Sequence, residues 1–221
     1  MRKLFAREAH RNASWPEGFD NFTTAAIHSI AHTSQGYFEV KSRSGSSSIS
    51  SSFWFHQNDG KGSWTEIDVF ESVGGNAPHA VPGMNTTMMC THTHVFELAG
   101  VPRQAIPQKC GCTFGDRVGE KRKSNIGEKS LRPCSIGTCV PMKWGFDDGF
   151  HVYGLEWNDT SIVVYADGNQ VGDAYDASCF AQKIGMDFDR ETMPGWMGTP
   201  DLPFAESTPF ELDYVRVWKP A

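Results

Sequence analysis

The chain has 221 residues, 39% hydrophobic and 21% charged, a balance that can bury a substantial core and is unlike that of disordered chains. The formal net charge of -6 lacks the basic excess expected of a nucleic-acid binder. No apolar run approaches the roughly 18 residues that a membrane-spanning helix needs.

Taken from the N-terminus, the basic start MRKLFAREAH is not followed by an apolar stretch, so no signal peptide is read. Tyr37–Lys41 alternates apolar with polar residues, Ser52–His56 is rich in aromatics, and Trp64–Val73 is a longer run of strand-forming residues. Residues 97–148 break the pattern. They are rich in Gly, Pro, Cys, Lys and Arg, and residues 103–132 alone carry a net +5. This region reads as a solvated insertion, or as a loop that meets an anionic polymer. Strands resume at Phe150–Trp157 and Ile162–Ala166. Asp167-Gly168, directly after the second of them, is a hairpin turn signal, and the chain closes with Phe210–Trp218. No stretch has sustained helical period. Many short strands without helices predict an all-β sandwich or barrel.

The six cysteines are Cys90, Cys110, Cys112, Cys134, Cys139 and Cys179. Four fall between 110 and 139, with C-x-C and C-x4-C spacing. A disulfide-pinned surface loop is the favoured reading and a zinc knot its rival; the pairing is left open. With the Asn-x-Ser/Thr sequons at Asn12, Asn21, Asn85 and Asn158, they point to an extracellular, secreted protein.

The segment that carries chemistry is Trp64-Thr65-Glu66-Ile67-Asp68-Val69-Phe70-Glu71. On a strand, side chains alternate, so Glu66 and Asp68 share one face while Ile67 and Val69 enter the core. Unbroken alternation would bury Glu71, and a buried unpaired carboxylate is very costly. One extra residue near Val69–Phe70, a β-bulge, returns Glu71 to the acidic face. The spacing therefore predicts three carboxylates in a row on one exposed sheet face. Mutual repulsion makes such a row unfavourable in a purely structural strand. It suits a retaining glycosidase, which needs an ionised nucleophile and a protonated acid about 5–5.5 Å apart, because crowded negative charge drives carboxyl pKa values apart. A calcium site and an inert acidic strand are the alternatives. The apolar residues between the acids fit calcium poorly.

With its E-[apolar]-D-x-x-E pattern at EIDVFE, the sequence resembles glycoside hydrolase family 16. Ile27–Val40 is similar to the family's paired strands before the site. Ser51–Phe55 is similar to a strand with a cleft tryptophan, Phe150–Gly168 to the central hairpin, and Phe210–Trp218 to the closing strand. Met88–Phe96 and Met186–Trp196 look closest to the β-agarases and porphyranases within the family.

The resemblance implies a concanavalin A-like β-jelly roll with a concave substrate cleft, formed by residues 1–221 as one catalytic domain. Residues 1–24 match poorly, so the sandwich is expected to lack N-terminal strands. The implied roles are Glu66 as nucleophile, Asp68 as assisting carboxylate and Glu71 as general acid/base. Trp54, His94, Glu191 and Trp196 are implied substrate contacts, each with a structural reading beside it. The implied activity is endo-hydrolysis of a polysaccharide, a red-algal galactan such as agarose or porphyran before a β-1,3-glucan. A non-catalytic carbohydrate-binding sandwich and a transglycosylase are the rivals. No cofactor, catalytic metal, nucleic acid or membrane partner is expected, and the chain is expected to be a monomer. A structural calcium near Asp213 is the one metal the resemblance leaves open.

Overall fold

The computed structural model describes residues 3–4, 24–46, 49–58, 63–73, 86–97, 134–177, 180, 183–193 and 208–220. These form thirteen strands in chain order: β1 (Lys3–Leu4), β2 (Ala25–His28), β3 (Gly36–Arg43), β4 (Ser50–Asn58), β5 (Ser63–Val73), β6 (Met88–Glu97), β7 (Cys134–Pro141), β8 (His151–Trp157), β9 (Ser161–Ala166), β10 (Asn169–Gln170), β11 (Tyr175–Asp176), β12 (Gly185–Glu191) and β13 (Glu211–Trp218). There is no helix among the described residues. The strands make two antiparallel sheets, ordered β1-β2-β12-β4-β5-β6-β7 and β10-β9-β8-β3-β13, with β11 also paired to β9. The architecture is a sandwich, one of the two the strand pattern predicts, and the jelly roll that the family resemblance implies.

Alternation explains the layering. Along β3 buried and half-buried positions alternate without a break, so Phe38 and Val40 enter the core while Tyr37, Glu39 and Lys41 face outward. From the opposite sheet, Phe53 and Phe55 of β4, Ile67, Val69 and Phe70 of β5 and Phe188 of β12 meet them, all buried. Aromatic rings cross the interlayer at Phe38–Phe55 (centroids 5.0 Å apart) and Phe70–Tyr153 (4.5 Å), geometries in which ring edges meet ring faces favourably. The Asp167-Gly168 turn between β9 and β10 has positive φ at both residues, 47° and 75°, the two-residue hairpin conformation that the sequence signals.

Two expectations change, and one pairing that the sequence left open is supplied. Ile27–Val40 does not hold a pair of strands bonded to each other: β2 joins β12 in one sheet, and β3 joins β8 and β13 in the other. The segment after residue 97 is not insertion throughout, because 134–141 is β7 and pairs with β6 across eight positions. Finally, Cys139 is bonded not within its local cluster but to Cys90, its register partner on β6. Neighbouring antiparallel strands bring the two Cα atoms to 4.1 Å, a reach that sequence spacing does not reveal. Cys110, Cys112 and Cys179 lie outside the described residues, as does the side chain of Cys134.

Asp213, the residue considered for calcium, accepts a hydrogen bond from Lys41 Nζ at 2.7 Å on the outer face of the smaller sheet.

Candidate active site

The acidic row stands on β5, with β4 on one side and β6 on the other. Phe53 opposes Phe70 and Trp54 opposes Asp68, so Val69 has no counterpart on β4. The β5–β6 register also slips by one between Asp68 and Glu71. This is the predicted bulge. It is held from below, because Ile67, Val69 and Phe70 are all fully buried. Two consecutive core-facing apolar residues are what an extra residue in the strand requires. Thr91 Oγ1 donates to the Asp68 carbonyl at 2.9 Å and satisfies a backbone group beside the disrupted ladder.

Glu66, Asp68 and Glu71 are thus brought to one face. The face is less open than alternation alone suggests. The side chains of Glu66 and Glu71 are 21% and 17% exposed, and that of Asp68 only 4%. Neighbouring strands crowd the central, shorter acid. Burial first, then the charges of Glu71 and Glu66, hold the Asp68 carboxyl well above the ordinary range.

β6 contributes His92 and His94. His94 Nε2 lies 3.2 Å from Asp68 Oδ2 and 3.8 Å from Glu66 Oε1, and His92 Nδ1 lies 3.4 Å from Glu71 Oε2. The two imidazoles stack, 5.5 Å between centroids. Burial, with His92 beside it, lowers the His94 pKa to about 4, so His94 is a neutral partner to the acids at neutral pH rather than a counter-charge. Gly137 of β7 sits opposite His92. A Cβ there would stand 1.8 Å from His92 Cδ2, so the ring occupies space that only glycine leaves.

β4 and β12 supply the other flank. Trp54 is half-buried and on the acidic side, not in the core. Its Nε1 donates to Asp189 Oδ2 at 2.8 Å, and its ring stacks on His56 at 4.8 Å. Along β12, alternation sends Phe188 inward and sets Asp187, Asp189 and Glu191 on the side of the acids. Arg190, between Asp189 and Glu191, donates from Nη1 to the Thr208 carbonyl at 2.9 Å. Burial, then Glu71 and Glu66, push Glu191 up to about 7. Burial, then Glu191, push Asp189 up to about 8, against the Trp54 hydrogen bond that favours its ionised form.

Of the residues singled out in the sequence, Glu66, Asp68, Glu71, Trp54, His94 and Glu191 therefore share one sheet face. Trp196 lies outside the described residues. Sequence reasoning passed over His28, His56, His92, Asp187 and Asp189. The signal was present: in M-D-F-D-R-E, acids recur at every second position from 187 to 191, the same period that separates His92 from His94 and Trp54 from His56.

The raised Asp189 pKa carries a prediction. Unfolded, this carboxyl ionises near 3.9; folded, it does so near 8. Between those values the unfolded chain loses a proton that the folded chain retains, so stability falls as pH rises from about 4 to 8 and levels off above. Asp189→Asn keeps an acceptor for Trp54 and removes this contribution. Thermal melts are expected to show a variant more stable than the parent at pH 8, by roughly a few kcal/mol, with little gain at pH 4. An equal pH slope in the two proteins would contradict the shift.

No protein-family model and no curated protein matches the sequence. Solved structures do. Porphyranase B from Zobellia galactanivorans superposes with a TM-score of 0.61 at 18% identity, over 98% of this chain and 74% of the other. The catalytic domain of an endo-1,3-β-glucanase (laminarinase) from Thermotoga petrophila gives 0.57 at 15% identity, over 89% and 68%. A glycoside hydrolase family 16 endo-glucanase from Bacteroides ovatus gives 0.57 at 13% identity, over 88% and 74%. With two antiparallel sheets and a bulged strand bearing three acids, the chain has the fold of glycoside hydrolase family 16.

Proposed function

We propose that residues 1–221 form one catalytic domain, a retaining endo-β-glycoside hydrolase acting on a polysaccharide. The observation that carries this reading is the β5 bulge, which gathers Glu66 and Glu71 on one face around a buried Asp68. In the first step, Glu66 attacks the anomeric carbon while Glu71 gives its proton to the departing glycosidic oxygen. Water then attacks the glycosyl-enzyme ester, Glu71 takes its proton, and the Glu66 carboxylate is released. His94, uncharged and within 3.2 Å of Asp68, fixes that carboxyl in place. Trp54 and Glu191 flank the acids as substrate contacts. An aromatic face stacks on the apolar face of a sugar ring.

For the substrate, a red-algal galactan such as agarose or porphyran is favoured, with laminarin second. The order rests on the resemblance of Met88–Phe96 and Met186–Trp196 to the β-agarases and porphyranases. The Cys90–Cys139 disulfide supports secretion, since such bonds persist in oxidising compartments. The chain is expected to act as a monomer. The test is reducing-sugar release from agarose, porphyran, carrageenan, laminarin and lichenan. Release of oligosaccharides from one galactan is expected. Release from laminarin alone would reassign the substrate. Binding to a polymer without release, by folded protein, would replace the hydrolase with a carbohydrate-binding sandwich.

A further inference from the structure

Next to the acidic row, on the same face, three residues outside the catalytic reading converge. Asp187 of β12 is buried, with 6% of its side chain exposed. Its Oδ1 accepts from His28 Nδ1 at 2.7 Å and its Oδ2 from His56 Nδ1 at 2.8 Å. His28 reaches it from β2 and His56 from β4, the strands on either side of β12. The two imidazoles are 5.4 Å apart between centroids, and the three ligand atoms all lie within 4.8 Å of one another.

Each ring is seated. His56 stacks under Trp54. His28 lies against Gly185, where a Cβ would approach its Cε1 to 2.3 Å. One hydrogen bond to a carboxylate requires neither two imidazoles nor a strand cut back to glycine for one of them. Two imidazole nitrogens with one carboxylate is a donor set that suits zinc and its neighbours in the first transition row. Zinc binds imidazole nitrogen and carboxylate oxygen at about 2.0–2.2 Å. Seating an ion between groups now 2.7 and 2.8 Å apart needs the rings to open by less than about 1 Å, a motion available to half-exposed side chains.

We infer that His28, His56 and Asp187 form a site for a divalent transition cation of the zinc class, tying β2, β12 and β4 together beside the catalytic face. Three protein ligands leave a further coordination position for water or for an oxygen of a bound polymer. His56 opposes Glu66 in the β4–β5 register, so the ion stands one strand from the proposed nucleophile. The site does not depend on hydrolysis, and its test is separate from activity.

The test uses the full chain, stripped with chelator and titrated with Zn²⁺ alone by calorimetry, with thermal melts and with Co²⁺ absorption as a report on nitrogen ligation. One equivalent is expected to bind. At about a hundredfold excess over its dissociation constant it should raise the melting temperature by roughly 5 °C or more. His28→Gln, a change at a partly exposed side chain that leaves the core untouched, should weaken binding roughly tenfold or more, and His56→Gln should do the same. His92→Gln, on the far side of the acids, should leave affinity unchanged. Three results would overturn the site: no Zn²⁺ binding by folded parent protein, affinity unaltered in both His28→Gln and His56→Gln, or binding lost in His92→Gln and kept in His28→Gln.

Discussion

Replacing Glu66 by Gln is expected to reduce turnover of the polymer by roughly 10⁴-fold or more, the scale on which loss of one member of a covalent catalytic unit is felt. The amide is nearly isosteric with the carboxylate but cannot form the glycosyl ester. The fold should survive. Glu66 is half-buried, its strand neighbours Thr65 and Ile67 pack independently of its charge, and removing one of three crowded acids relieves repulsion. The measurement is initial rate with the melting curve recorded beside it. A variant that melts like the parent and keeps more than a tenth of its rate would remove Glu66 from the reaction.

Glu71→Ala should produce the second largest loss, and a different one. The general acid matters in proportion to how badly the departing oxygen needs a proton, so cleavage of the polymer should fall by about 10²–10⁴-fold. An aryl glycoside with a dinitrophenolate leaving group departs without protonation and should lose far less in its first step. The comparison of the two substrates in one variant separates the acid from the nucleophile, since Glu66→Gln must abolish both. Equal losses on the two substrates would mean that Glu71 does not protonate the leaving group.

Much of this was legible in eight residues. From Trp64 to Glu71, alternation and the cost of a buried glutamate are enough to require a bulge at Val69–Phe70, and the register confirms it against both neighbouring strands. The strand set and the Asp167-Gly168 turn come from period and turn chemistry in the same way. What alternation could not supply is lateral. It says which face a side chain takes, not which strand lies next door. So the burial of Asp68, the His92–Glu71 and His94–Asp68 contacts, the Trp54–Asp189 bond and the Cys90–Cys139 bridge all escaped, because each joins strands whose adjacency the residue pattern does not reveal. β12 is the clearest instance. It lies late in the chain yet is inserted between β2 and β4, and only that placement turns Asp187, Asp189 and Glu191 from three surface acids into a wall of the site.

The placement also explains how so many carboxylates coexist. Burial and mutual repulsion raise Asp68, push Asp189 up to about 8 and Glu191 up to about 7, so the face carries less charge than its composition suggests. That leaves Glu66 and Glu71 as the pair on which the chemistry turns.

The most direct test of that pair is the anomeric configuration of the first product, followed by proton NMR during the initial minutes of hydrolysis. A covalent Glu66 intermediate requires two displacements, and the β-anomer should appear first, with the α-anomer growing in only by mutarotation. If the α-anomer appears first, water attacks the sugar directly and Glu66 is not the nucleophile.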